Sequence, residues 1–99
     1  MKIIEEMIED LEEEVEGAEE YAERYIESRA RGDMSRANRF KEMANDELKH
    51  AGYIRDMSIG DVEELKRVYT MSTSEEEEWR HGLKCANEKM AVVKNMLGM

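Results

Sequence analysis

No proline occurs anywhere in the 99 residues. A proline ring removes a backbone donor and clashes with the preceding turn, so no helix in this chain is forced to kink or stop by one. Ala, Glu, Lys, Leu and Arg supply 48 of the residues, close to the roughly one-half that marks long-helix chains. The fold class expected is all-α, and the composition argues against an all-β fold. The length makes one domain, 1–99. No apolar run approaches the roughly 20 residues of a membrane span. The acidic start MKIIEEMIEDLEEE has no secretory pattern. Cys85 is the one cysteine, so an intrachain disulfide is impossible and a reduced, cytoplasmic setting is expected.

The breaks are few. Gly32-Asp33 reads as a glycine ending one helix and an aspartate capping the next. Gly60-Asp61 repeats the pairing, with Glu64 completing a capping box. Ser72-Thr73-Ser74 is the third break, with Ser74 and Glu77 as a further box. Four helices follow, at about 3–31, 34–58, 61–70 and 75–97. Residues 1–58 form a long antiparallel hairpin, and 61–97 form shorter C-terminal helices. A two-helix hairpin leaves apolar surface bare. Dimerisation through the hairpin would complete a four-helix bundle, so a homo-oligomer is expected, a dimer or a ring of dimers.

Charge is uneven along the chain. Residues 1–23 carry eleven acids against one base, whereas 24–56 carry six acids against eight bases. A net charge of −10 argues against nucleic acid, whose phosphates demand cations. Arg24, Arg29, Arg31, Arg36 and Arg39 gather near the first turn, where another subunit's acidic half could meet them.

Placing the first helix on a wheel of roughly 100° per residue puts Ile4, Met7, Ile8, Leu11, Val15, Ala18, Ala22, Tyr25 and Ile26 on one stripe. Twelve acids lie between Glu5 and Glu27, and only Glu14 falls within that stripe. The second helix has a stripe of Phe40, Met43, Ala44, Ala51 and Ile54. Glu47 lies near its middle and His50 toward one edge, so Glu47-Leu48-Lys49-His50 is an E-x-x-H turned inward. A carboxylate on a core face is costly unless paired, protonated or bound to a metal. If the turn centres on Gly32, Glu14 lies 18 residues before it and His50 18 after it, level across the hairpin. Carboxylates with imidazole suit iron, manganese or zinc better than calcium. A hydrogen-bonded Glu–His pair would be the plainer reading of two such residues. Three at this register favour a metal ligated by Glu14, Glu47 and His50.

At these residues the chain resembles the ferritin-like superfamily, in particular its rubrerythrin type, whose half-bundle carries a glutamate on the first helix and E-x-x-H on the second. The likeness runs from Glu14 through Tyr21 and the Gly32 turn to Ala44-Asn45-Asp46-Glu47-Leu48-Lys49-His50-Ala51, about half the chain. It implies that Glu14, Glu47 and His50 are iron ligands, with Glu47 placed to bridge two ions. The second half departs from the pattern. Glu64 and Glu78 are 14 residues apart, against 33 for Glu14 and Glu47. His81 lies about 160° from Trp79 on the last helix, outside the stripe of Trp79, Leu83, Ala86, Met90, Val93 and Leu97, and reads as solvent-facing. One chain thus holds half a site. The chain is similar to the short half-ferritins, such as the encapsulated ferritins, whose di-iron centre forms between two chains.

The reading is a di-iron carboxylate protein binding iron at a homodimer interface, with ferroxidase or iron-handling activity and with manganese or zinc as other candidate ions. The other reading is a non-enzymatic acidic helical module, structural or protein-binding, that keeps the bundle without metal. Tyr21, Tyr25 and Tyr53 are expected near the site as packing residues. Met7, Met43, Met57, Met90 and Met96 recur at core phase and read as gap-fillers.

Overall fold

The computed structural model describes all 99 residues and is all-helical. Three helices run up, down and up: α1 (Lys2–Ala30), α2 (Met34–Val68) and α3 (Thr73–Met96). No helix is long and apolar enough to cross a membrane.

The first turn is built as its sequence suggests. Gly32 takes φ +78°, a left-handed conformation open to glycine at no steric cost. The Gly32 amide donates to the Arg29 carbonyl at 3.0 Å and the Asp33 amide to the Ser28 carbonyl at 3.0 Å, which satisfies the last carbonyls of α1. Asp33 then caps α2, its Oδ1 accepting from the Arg36 amide at 3.1 Å. This tight link fixes the register of α1 against α2.

The second predicted break is absent. The chain does not split at 58 and 61; α2 continues through Gly60 to Val68, and three helices replace four. A glycine inside a helix costs only about 1 kcal/mol, and here packing outweighs it. Val62, just past Gly60, is buried in a cluster with Ile4, Met71 and Trp79. The break comes instead at Tyr69, whose backbone is extended. The cap of α3 lies two residues earlier than the sequence suggested. Ser72 Oγ accepts from the Glu75 amide at 3.1 Å, and Glu75 Oε1 accepts from the Ser72 amide at 3.0 Å. Tyr69 Oη also donates to Glu75 at 3.2 Å.

The main core joins Leu11, Val15, Ala18 and Ala22 of α1 with Ala37, Ala44, Leu48 and Ala51 of α2 and Ala86, Met90, Val93 and Leu97 of α3. The α3 stripe is as expected. On α2 the buried line is shifted toward Leu48, because α3 packs on that side. Met43, on the expected stripe, is left 41 % exposed, and Ile26 of α1 is exposed too. The Ile8 side chain lies so close to Gly82 that a Cβ there would stand 2.8 Å from it.

The molecule is a rod of 54 × 20 × 18 Å, its length set by α2, whose 35 residues span about 52 Å. Its radius of gyration of 16.0 Å exceeds the roughly 13 Å of a compact domain this size. The accessible surface is 6523 Å², against about 5,800 Å² for a typical monomer of 11.6 kDa.

Candidate metal centre

The α1–α2 hairpin has two flanks. Packing of α3 covers one. The other is open, and Glu14, Glu47 and His50 meet on it. One ligand atom from each lies within 4.8 Å of the others. His50 Nδ1 is 3.8 Å from Glu14 Oε2 and 3.9 Å from Glu47 Oε1. The juxtaposition follows from two spacings. The Gly32 turn brings Glu14 and His50 level, and three residues of α2 carry Glu47 one turn along the same face.

The three side chains lie at the rim of the core, not inside it. Those of Glu14 and Glu47 are 30 % and 27 % exposed, and that of His50 is 57 % exposed. The expectation of inward-facing ligands is corrected accordingly. The shift of the α2 core toward Leu48 rolls Glu47 and His50 outward. Within the cluster, Glu14 Oε2 is shielded from solvent and has no hydrogen-bond partner. His50 Nδ1 at 3.8 Å is too far to hydrogen-bond this oxygen, so its lost hydration is not replaced by a hydrogen bond, and a cation or a proton would remedy that.

The electrostatics agree. The carboxyl of Glu47 is held above its ordinary value, first by a hydrogen bond with Glu14, then by burial and by the Glu14 charge; Asp46 adds slightly, while His50 opposes. A proton on Glu47 would remove the clash of two like charges. His50 is the one basic side chain paired with either glutamate. Arg24 is engaged with Glu20 at 3.0 Å, and Lys41 lies over the Tyr25 ring at 5.7 Å.

Glu14 also lines an open groove of about 440 Å³ along the flank, with Ile3, Met7, Asp10, Ile54 and Met57 among its walls. The groove is lined by acids as much as by apolar side chains, with Glu6, Asp10, Glu13, Glu14 and Asp61 interleaved among Ile3, Met7, Ile54 and Met57. Met57 is 62 % exposed and Ile3 47 %. The expectation that Met43 and Met57 fill core gaps is corrected, whereas Met90 does so.

The tyrosines divide. Tyr21 stacks on Phe40 at 6.4 Å on the same flank. Tyr25 is buried and its Oη accepts from Arg29 at 3.2 Å. Tyr53 is 72 % exposed, so the expectation that it packs beside the site is corrected. His81 is exposed as expected, and its Nε2 lies 3.5 Å from Cys85 Sγ. The sequence reading missed Gly17. A Cβ there would stand 3.1 Å from Glu47 Oε2. Its signal was available: a glycine in the middle of a strong helix, three residues after the one acid on the core stripe.

Two carboxylates and an imidazole within reach of one another, with one oxygen unpartnered and one side open, match the ligand chemistry of iron, manganese or zinc. Compared with known proteins, the chain matches no family model, no curated protein and no solved structure.

Proposed function

We propose that the protein is a ferritin-like di-iron carboxylate protein, in which Glu14, Glu47 and His50 of two chains hold a shared pair of ions. The observation that carries this reading is the convergence of three ligand atoms within 4.8 Å around an unpartnered Glu14 oxygen. Three protein ligands leave coordination positions open. Bound iron would supply redox chemistry toward oxygen or peroxide, giving a ferroxidase or iron-handling role. Glu14 and Glu47 would hold and bridge the charge, and His50 would orient the centre from its more exposed side.

A second copy is the proposed cover of the open flank, in a dimer or a ring of dimers. The surface in excess of a typical monomer is about 700 Å², near the roughly 800 Å² that each partner buries in a standard interface. The exposed Ile3, Met43 and Met57 lie on that flank, and two hairpins packed there make a four-helix bundle. A reduced setting such as the cytoplasm fits an exposed Cys85.

One observation favours the other reading, an acidic helical module without metal: His50 is more than half exposed, so the cluster survives as a solvated part of an acidic flank. Anaerobic loading with ferrous ion, desalting and elemental mass spectrometry separates the two. About one iron per chain is expected if two chains share two ions, with His50→Ala as the control. No retained iron, manganese or zinc overturns the metal reading.

A further inference from the structure

We propose that Gly17 is a positioning residue for Glu47: its missing side chain is the notch in α1 that lets the Glu47 carboxylate reach across from α2 and lie beside Glu14. Gly17 sits within α1, far from either end, at a point where the backbone is ordinary helix with no positive φ. Nothing about the local chain calls for glycine, and helix propensity argues against it. The reason lies across the seam. A Cβ at 17 would stand 3.1 Å from Glu47 Oε2, 3.7 Å from Cδ and 3.9 Å from Cγ. All three contacts are with one flexible side chain, so the fold could absorb an alanine by moving the carboxylate alone. Gly52, inside α2, has nothing within 4 Å of the same position and serves as the contrast.

Glycine at 17 therefore favours the cluster at the expense of the helix. Alanine there should strengthen α1 and weaken the convergence of Glu14, Glu47 and His50. That this convergence serves a metal rests on the reading above; that Gly17 sets it does not.

The test compares the wild type with Gly17→Ala and Gly52→Ala, by crystal structures of the metal-free proteins and by ferrous-ion titration under nitrogen. In Gly17→Ala the helices should superpose on the wild type, the melting temperature should not fall, and the Glu47 carboxylate should be displaced from Glu14. Its apparent affinity for ferrous ion should fall at least about tenfold, in line with other groups that orient ligands. Gly52→Ala should also melt no lower than the wild type but should leave the carboxylate and the affinity unchanged. An unmoved Glu47 carboxylate in Gly17→Ala overturns the proposal, as does unaltered iron affinity in a wild type that binds. If the wild type binds no ion, the metal reading falls and the two structures alone decide the role of Gly17.

Discussion

Nδ1 of His50 lies 3.8 Å from Oε2 of Glu14, and Gly32 stands midway between them, eighteen residues from each along the chain. The cluster is thus a property of the turn as much as of its own residues. The left-handed Gly32 and the Asp33 cap set the register, and the two helices carry it about 27 Å to the site.

On the metal reading, His50→Ala should reduce bound iron to a small fraction of the wild-type content. The variant should remain folded, with a melting temperature within a few degrees of the metal-free wild type, because a side chain 57 % exposed contributes little to packing. Circular dichroism and elemental analysis on the same sample check both halves. Full iron retention would remove His50 from the ligand set.

The pH dependence follows from Glu47. Its carboxyl is held above the ordinary 4.5, chiefly by the hydrogen bond with Glu14 and then by burial. The folded metal-free protein therefore binds this proton more tightly than the unfolded chain does. The stability it contributes is fully present below the unfolded value and is lost as pH rises through the folded one. Glu47→Gln should accordingly stabilise the metal-free protein at neutral pH and have little effect near pH 4. Ion binding needs the carboxylate, so affinity should begin to fall at a higher pH than for an ordinary glutamate pair. Thermal melts of both proteins across that range, with and without zinc, measure both effects. Equal melting temperatures at neutral pH would contradict the first.

Much of this was legible in the sequence where a local signal and a packing signal coincide. Gly32-Asp33 sits between two periodic segments, and both its caps form. The α3 stripe from Trp79 to Leu97 has no competing face. Gly60-Asp61 misled because its local signal is as strong as that at Gly32, while the opposing term, Val62 against Ile4 and Trp79, depends on long-range contacts. The convergence of Glu14, Glu47 and His50 was legible from register. Their exposure was not, because the side on which α3 docks decides which α2 residues are innermost. Gly17 shows the same limit: its contact is with a residue on the neighbouring helix.

The continuity of α2 predicts opposite outcomes for two glycine substitutions. Gly60 is helical, and an added Cβ there meets nothing within 4 Å. Gly60→Ala should stabilise by about 1 kcal/mol, raising the melting temperature by roughly 4–8 °C. Gly32 has φ +78°, and Gly32→Ala should destabilise by about 1 kcal/mol or more. A loss of stability at Gly60→Ala would mean that the helix does end there in solution.

The open flank makes the last prediction. If a second copy covers it, the wild type should sediment at twice 11.6 kDa at micromolar concentration. Met57 is 62 % exposed and lines the groove beside Glu14, so it should be buried in the dimer while contributing nothing to the monomer core. Met57→Asp should then weaken association by about 100-fold or more, through loss of apolar contact and burial of one more negative charge among the groove's acids. The monomer should keep its helical circular dichroism. If the two ions are shared, it should also lose bound iron, although every ligand is intact. A folded monomeric variant that still holds one iron per chain would show that each chain binds alone, and a monomeric wild type would remove the second copy from the proposal.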